Sequence, residues 1–411
     1  MDILFLSHCL PNARMKGEKI RAFQEIVALS QGHRVHLACF ARNGQELGLA
    51  GELNKYCDSV YAEVRPYANA MIAAGVRFCG GASLNMAFYA SSTMRQYIDR
   101  LATEIKFSAA VAYTLPMSPY VPREIFKVLD MVDVDSEKWR QYARKRWPGL
   151  LYNLEAKRLR KCELHYGRQF DQTFFVSRQE AQLYQEISGG AAAECFENGV
   201  DFDYFDPSKE LTHIDCPAKP FVTFVGTMNY FPNVDGAGWF AREMMPALRS
   251  REPELEFLIV GAEPNKQALQ LGSCPGVRVV GPVRDVRPFI QQARAVVAPL
   301  RLARGMQNKV LEALALGRRV YATSEVCKTF GNDVPPGIVR CDSAPEFVAA
   351  IWAANDAPSP DFKIREQAQV RFNWETNLNV LTARIESQIN GPYFPTNQPA
   401  PLLAPLRRTS A

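Results

Sequence analysis

The feature that most constrains this chain is an alternation of short apolar runs with longer amphipathic stretches, which occurs on both sides of a proline-bearing stretch at 206–220. Short apolar runs of this kind form parallel strands that helices cover on both faces. In the first series, apolar runs at 3–6 and 35–40 flank an amphipathic stretch at 18–30, and a second series begins at residue 221. The sequence therefore predicts an α/β protein with two Rossmann-like domains, for which 411 residues are sufficient.

The domain boundaries follow from the same pattern. Ligands of Rossmann-like sheets bind at the carboxyl ends of the strands, so two such domains facing each other would enclose a cleft. The predicted segments are an N-terminal domain at 1–205, a linker at 206–220, a C-terminal domain at 221–362, helices that return to the N-terminal domain at 363–390, and a disordered tail with five prolines at 391–411.

Composition excludes several classes of protein. Lys and Arg number 48 against 43 Asp and Glu, and a net charge of +5 does not indicate a nucleic-acid binder. The first residues do not form the basic and apolar stretch of a secretory signal, so we expect no signal peptide, and no apolar run is long enough to span a bilayer. Ten scattered cysteines form no C-x-x-C pair and no metal-ligand cluster with the five histidines. We expect reduced thiols, no bound metal and a cytoplasmic protein.

The most informative stretch lies at 304–317, where a loop leads into an apolar helix that we expect to begin at Gln307 or Asn308. A helix N-terminus presents free N–H groups and a partial positive charge, which suit a diphosphate. Gly305 would let the backbone approach closely, and Arg304 and Lys309 would add donors. Glu312, one turn further, could accept hydrogen bonds from a ribose diol. An ordinary capped helix is the alternative.

Several separated motifs between residue 1 and about residue 385 resemble retaining, family 4 glycosyltransferases of the GT-B fold. They include the 304–317 stretch, with Glu312 and Gly317 matching the donor signature, and Gly281-x-Val-x-Asp285 before it. Further motifs resemble the transferases associated with bacterial PEP-CTERM/exosortase exopolysaccharide systems: Lys16-Gly-Glu-Lys-Ile-Arg21, Asp133-Val-Asp-Ser-Glu-Lys-Trp139, Asn198-Gly-Val-Asp201 and Gly226-Thr-Met-Asn-Tyr-Phe-Pro-Asn233.

The resemblance implies a hexosyltransferase. It would move a sugar, with retention and without a metal or other cofactor, from a UDP-sugar or GDP-sugar donor to a lipid-linked or polysaccharide acceptor. The N-terminal domain would bind the acceptor and the C-terminal domain the nucleotide sugar.

This chain departs from the family pattern at two positions. The family's second glutamate maps to Glu312, but Arg304 stands where the first glutamate is expected. The arginine that usually follows the first glycine of the second domain is also missing, because Thr227 and Met228 follow Gly226. We therefore expect Arg304 to neutralise the donor diphosphate.

Other donor-binding candidates lie in loops before helices. Gly17 stands where the family has a glycine-rich phosphate loop, and Arg21 is predicted on the first turn of the following helix; a plain surface turn is the alternative. Gly226 follows the first strand of the second domain. Asn229 lies in the loop after it, and Asn233 is the predicted N-cap of a helix at 234–248.

Two residues are catalytic candidates. Asp133 is predicted to end a strand at 127–134, with Asp133 and Asp135 on one face, so that Asp133 could orient an acceptor hydroxyl or accept its proton. Asp135 or Ser136 could instead cap a helix that is predicted from residue 137. His8, after the first strand, could also reach an acceptor, although a lone histidine is more often structural.

A basic and aromatic stretch at 138–161 predicts a membrane contact. It carries nine Lys and Arg residues and one acid, Glu155. Such segments bind anionic lipid surfaces, here the inner face of the cytoplasmic membrane; a solvated face or a nucleic-acid patch are the alternatives. An apolar, acid-poor stretch at 67–90 could form a lipid-facing or acceptor-facing lobe. The residues assigned to this contact are Arg140, Arg144, Lys145, Arg146 and Trp147.

Two other classes of function stay open at this stage. A nucleotide-sugar epimerase of the GT-B fold would need no membrane patch. A non-catalytic nucleotide-sugar-binding subunit would be consistent with Arg304 in place of an acid.

Overall fold

The computed structural model describes residues 1–13, 17–209, 211, 219–353 and 359–389. The chain forms two compact units: Met1–Phe196 with the chain from Val380 onward, and Glu197–Asn379. The first division comes before the stretch in which the sequence predicts a linker. The last helix begins in the second unit and ends in the first. The predicted tail at 391–411 and most of the predicted linker lie outside the described residues.

Among its described residues, the first unit contains a parallel sheet with the strand order β3-β2-β1-β4-β5-β6-β7. Strand β4 is fully buried, as expected of a central strand covered on both faces. The elements are β1 (Asp2–Ser7), α1 (Gly17–Ser30), β2 (Arg34–Ala41), α2 (Gly44–Leu47), β3 (Ser59–Val64), α3 (Tyr67–Cys79), α4 (Leu84–Phe88), α5 (Ser92–Glu104), β4 (Ala109–Tyr113), β5 (Phe126–Val132), α6 (Asp135–Lys145), α7 (Gly149–Gly167), β6 (Gln172–Phe175), α8 (Arg178–Ser188) and β7 (Glu194–Cys195).

The described part of the second unit contains a parallel sheet of order β10-β9-β8-β11-β12-β13. Strand β8 lies inside it and is buried along its length. The elements are β8 (Phe221–Val225), α9 (Phe231–Trp239), α10 (Met245–Arg251), β9 (Glu256–Val260), α11 (Lys266–Gln270), β10 (Val277–Gly281), α12 (Arg287–Gln291), β11 (Ala295–Ala298), α13 (Asn308–Ala315), β12 (Val320–Ala322), α14 (Ser324–Lys328), β13 (Ile338–Arg340), α15 (Ala344–Ala353), α16 (Phe362–Arg371) and α17 (Trp374–Ile389).

Two parallel sheets with helical crossovers confirm the predicted α/β architecture of two Rossmann-like domains. Some local predictions are wrong. The helix predicted at 234–248 begins at Phe231, because Pro232 fits the first turn of a helix. A π-helical segment at 240–244 separates α9 from α10. The strand predicted at 127–134 ends at Val132. The sequence pattern also did not predict the short strands β7 and β13 at the sheet edges or six helices, namely α2, α3, α4, α11, α14 and α15.

Candidate functional site

The second unit brings two backbone segments into close contact where β8 and β9 end. The N–H of Gly226 donates to the carbonyl of Val260 over 2.9 Å. Gly261 has φ +150°, and a Cβ there would lie 1.9 Å from the Gly226 carbonyl oxygen, so that position accepts only glycine. Gly261 was not among the predicted site residues. The sequence feature that could have indicated it is a glycine directly after an apolar strand.

Gly226 also lies against two polar side chains. A Cβ on Gly226 would come within 2.8 Å of Asn233 Nδ2 and 3.2 Å of Lys309 Nζ. The Lys309 ammonium donates to Asn233 Oδ1 over 2.6 Å, and Asn233 Nδ2 donates to the Thr227 carbonyl over 2.9 Å. Lys309 Nζ also lies 4.7 Å from the centre of the Phe224 ring. The structure therefore brings the predicted donor residues Gly226, Asn233 and Lys309 together.

The helix α13 carries a cation and an acid whose charges interact. Lys309 and Glu312 are both half-buried. Loss of solvent lowers the pKa of Lys309 to about 7, with the Glu312 charge acting in the opposite direction. Loss of solvent likewise raises the pKa of Glu312 to about 7, opposed by Lys309. Perturbed pKa values of this kind cluster at functional sites and also occur in structural ion pairs.

The loop before α13 is held by its own hydrogen bonds. Gly305 has φ +62°, and Gln307 Nε2 donates to the carbonyls of Arg304 and Gly305 over 3.1 and 3.3 Å. Gln307 is the N-cap residue but makes no side-chain cap, and α13 begins at Asn308, as predicted. Arg304 is half-buried in this loop. The first turn of α13 therefore presents N–H groups beside Lys309, an arrangement that suits an anion.

The structure corrects the predicted N-cap role of Asn233 and shows a partner for Asn229. Asn233 is not an N-cap: Tyr230 is the N-cap residue of α9, and Asn233 lies buried in the first turn. Asn229 donates through Nδ2 to the exposed Glu263, a residue with φ +56° that the sequence reading did not select. Asn229 is thus directed towards the loop after β9.

In the first unit, Asp133 lies in a turn between β5 and α6, not on a strand. Val132 has φ +65°, which a β-branched residue rarely adopts, and this ends the strand. Asp133 is half-buried, and its N–H donates to the Met131 carbonyl over 2.8 Å. Asp135 begins α6, whose N-cap residue is Val134. The predicted shared strand face of Asp133 and Asp135, and the capping role of Asp135, are therefore wrong.

Two buried glutamates hold this turn. Glu180 of α8 accepts from the N–H of Val134 over 2.8 Å, and Glu163 of α7 accepts from the N–H of Ser136 over 2.8 Å. Burial raises the pKa of Glu163 to about 7. The N-terminus of α6 thus has carboxylate partners of its own.

His8 follows β1 and is packed between aromatic rings. Its ring stacks on Tyr113 at 5.5 Å and meets Tyr89 edge-on at 5.5 Å, while Nδ1 lies 3.4 Å from the Tyr113 carbonyl and 3.4 Å from Thr114 Oγ1. Burial lowers the pKa of His8, although the charges of Glu18 and Asp135 oppose the shift. The imidazole is therefore neutral at neutral pH, and burial disfavours its protonated form.

Arg21 lies inside the first unit, which argues against its predicted contact with phosphate. Its side chain is 1% exposed and binds Asp130 through Nε at 2.6 Å and through Nη2 at 3.2 Å. Nη1 donates to the Phe196 carbonyl over 3.1 Å. The guanidinium joins α1, β5 and the end of β7, which is a structural role. Gly17 is the first residue of α1, and Lys16 lies outside the described residues.

The predicted membrane segment forms the paired helices α6 and α7. Arg140, Arg144, Lys145 and Arg146 are all exposed; Arg140 also binds Glu137 at 2.7 Å, and the Arg146 guanidinium lies over the rings of Tyr142 and Tyr152. Trp147, beside them, is 91% exposed, and the neighbouring Leu150 is 80% exposed. Exposed apolar side chains therefore lie next to exposed cations in this segment.

Within the part of the chain that the structure describes, no three His, Cys, Asp or Glu side chains form a group able to hold a metal ion. Over the same residues, every helix is too short or too polar to span a bilayer.

Comparison with known proteins assigns the fold. Residues 219–354 match the family described as glycosyl transferases group 1. HepE from Anabaena in complex with UDP is 14% identical, with a TM-score of 0.63 over 94% of this chain and 100% of that chain. Sucrose-phosphate synthase from Thermosynechococcus elongatus is 15% identical, with a TM-score of 0.67 over 95% and 99%. A TarM mutant from S. aureus, in complex with fondaparinux, alpha-GlcNAc-glycerol and UDP, is 10% identical, with a TM-score of 0.64 over 93% and 99%.

These likenesses show that the chain has the GT-B fold, with two Rossmann-like domains. Its second unit carries the segment that matches the group 1 glycosyltransferases, and Gly226, Asn233, Lys309 and Glu312 all lie in that segment. Comparison with curated proteins gives no significant sequence match.

Proposed function

We propose that this protein is a glycosyltransferase that uses a nucleotide-sugar donor, UDP-linked or GDP-linked. The observation that carries the proposal is the Lys309–Asn233 contact beside Gly226, at the start of a helix that also bears Glu312. A diphosphate would add negative charge beside the half-buried Lys309 ammonium, and a ribose diol would donate to the Glu312 carboxylate. The UDP complexes of HepE and of the TarM mutant support the choice of ligand.

The chemistry we propose is transfer with retention and without a metal. The bond between the sugar C1 and the diphosphate oxygen breaks, C1 forms a bond to the acceptor oxygen, and the acceptor proton passes to the departing diphosphate. Lys309, Arg304 and the first N–H groups of α13 would hold the charge on the leaving group. Asp133 and the neutral His8 are the candidates for orienting the acceptor hydroxyl.

We further propose a lipid-linked or polysaccharide acceptor of bacterial exopolysaccharide synthesis, reached at the inner face of the cytoplasmic membrane. The resemblance to exopolysaccharide transferases supports the acceptor class. The exposed Arg144, Lys145, Arg146 and Trp147 support the membrane contact, since cations attract anionic lipid and an exposed indole inserts at the headgroup level.

Vesicle flotation tests the membrane contact. The parent protein should float with vesicles that contain anionic lipid. Binding should be weaker in 0.5 M salt, where the Debye length lies between about 3 and 10 Å, and weaker with charge-neutral vesicles, which do not attract the cations. The triple variant R144A/K145A/R146A should lose most of the binding, while R319A, which removes an exposed cation of the second unit, should retain it. Equal flotation of both variants would contradict the assignment.

Transfer itself is tested by incubating the protein with a panel of nucleotide sugars, with and without membrane extract as acceptor. Release of nucleoside diphosphate that depends on acceptor identifies a transferase. Epimerised donor without acceptor would identify an isomerase instead, and binding without turnover a non-catalytic subunit.

A further inference from the structure

The segment at 197–205, with which the chain enters the second unit, is bonded along its length to the helices of that unit. Glu197 forms a two-bond ion pair with Arg371, at 2.7 Å for each bond. The N–H of Val200 donates to the Phe372 carbonyl over 2.9 Å. A Cβ on Gly199 would lie 2.6 Å from the Trp374 ring, so this position requires glycine. The backbone around Asn198 is therefore fixed on both sides.

The same segment is linked to both ends of α13, directly at the start and through Arg365 of α16 at the end. At the start of the helix, Asn198 Nδ2 donates to Asn308 Oδ1 over 3.0 Å. At the end, Arg365 binds the Ala315 carbonyl at 2.5 Å and the carbonyls of Phe202 and Phe205 at 2.8 and 2.6 Å. The helix that bears Lys309 and Glu312 is thus positioned by this segment.

The bond from Asn198 also fixes which end of the Asn308 carboxamide is free for other partners. A carboxamide carries an acceptor oxygen and a donor NH₂ group on opposite sides. Because Oδ1 of Asn308 accepts from Asn198, which is only 6% exposed, the Nδ2 group takes the other side of the amide. Asn308 is the first residue of α13, so this NH₂ group lies at the end of the helix that carries the free backbone N–H groups.

We infer that Asn198 is a positioning residue for donor binding: it orients the Asn308 amide so that an NH₂ group, not a carbonyl oxygen, joins the diphosphate-binding donors at the start of α13. This inference rests on the proposed function. Asn198 acts through Asn308 and need not touch the ligand.

The test is a double-mutant cycle read by binding of UDP or GDP, whichever the parent protein binds more tightly. Removal of the bond in N198A should weaken binding roughly fivefold, as expected for loss of one ordered hydrogen bond. N198D should weaken it by about tenfold or more, because a carboxylate only accepts hydrogen bonds and would turn the Asn308 oxygen towards the phosphates. In an N308A background, N198A should have no further effect, and N198D should retain only the effect of its added charge.

Controls separate positioning from general damage. N377A removes a different hydrogen bond to this segment, from Asn377 Nδ2 to the Glu197 carbonyl at 3.1 Å, and should leave the affinity unchanged. The affinity for the nucleoside without phosphates, measured by ligand-detected NMR, should be unchanged in every Asn198 variant, which also shows that the variants are folded. N198S provides a second, smaller polar replacement that should behave like N198A.

The outcomes are distinct. If the parent binds neither nucleotide, the proposed function itself fails. If the parent binds and the Asn198 variants bind equally well, or if N198A weakens binding as much in the N308A background, only the inference about Asn198 is overturned.

Discussion

The Lys309 ammonium lies 2.6 Å from the Oδ1 atom of Asn233, a residue 76 positions earlier in the chain. This bond joins the first turn of α9 to the first turn of α13, and Asn233 in turn holds the Thr227 carbonyl. The loop after β8 and the start of α13 therefore form one site. A ligand that binds the Lys309 ammonium would therefore affect both the loop after β8 and the start of α13.

Gly226→Ala tests this packing. The added Cβ would come within 3.2 Å of Lys309 Nζ and 2.8 Å of Asn233 Nδ2, so one of these groups must move. We expect nucleoside diphosphate affinity to fall about tenfold with little change in melting temperature. Gly272→Ala is the matched control, because its nearest neighbour would be 3.9 Å away. Equal affinities for the two variants, measured by titration calorimetry, would count against the role of Gly226.

Donor affinity should be greatest near pH 7. The diphosphate requires the charged form of Lys309, whose pKa is about 7, so affinity should fall as the pH rises above that value. The ribose requires the Glu312 carboxylate, whose pKa is also about 7, so affinity should fall as the pH drops below it. A nucleotide sugar without acceptor is the best probe, because its diphosphate does not titrate near neutrality.

Two variants separate the limbs of this profile. Glu312→Gln should abolish the decline at low pH, and Lys309→Met the decline at high pH, each with weaker binding overall. A pH profile that both variants share with the parent would show that other groups titrate.

The sequence pattern was sufficient for the architecture but not for these contacts. Apolar runs predicted the interior strands because those are buried on both faces, as β8 and β4 are. The edge strand β13 has three residues and is partly exposed, so no apolar run marks it. The start of α13 was predicted correctly from a glycine-containing loop before an apolar helix.

The site required tertiary information. The pairing of Asn233 with Lys309 depends on how two loops meet, which residue spacing does not encode. Asp133 was misplaced on a strand because alternation cannot reveal the positive φ of Val132. Arg21 was predicted at a phosphate because it begins a helix near a loop, but its partner Asp130 is 109 residues away in sequence.

Arg304→Ala tests whether this arginine supplies the positive charge of another arginine, the one that family 4 glycosyltransferases usually carry after the first glycine of the second domain and that is missing here. Loss of a cation from the diphosphate should raise the donor KM and lower kcat, together about 10- to 100-fold in kcat/KM. Arg304→Glu, which restores the family residue, should lose at least as much. Arg301→Ala is the control, since this exposed arginine is held by Asp235 at 3.0 Å and lies outside the proposed contacts. Unchanged kinetics for Arg304→Ala would refute the proposal.

Stability should depend on the titration of Glu163. Its pKa in the folded protein is about 7, above the ordinary 4.5, so the folded state binds the extra proton between these values. Its contribution to stability is therefore full below about pH 4.5 and is lost as the pH rises through 7. In Glu163→Gln the free energy of unfolding should fall less between pH 5 and 8 than in the parent, by up to about 3 kcal/mol. The measurement is urea denaturation at several pH values. If the free energy of unfolding changed equally with pH in the two proteins, this prediction would be contradicted.

The central claim is tested most directly by a crystal structure of the protein with UDP or GDP. We expect the diphosphate at the start of α13 within hydrogen-bond distance of Lys309, with the ribose hydroxyls on Glu312. Nucleotide density elsewhere in the molecule, with Lys309 still bound only to Asn233, would contradict the account.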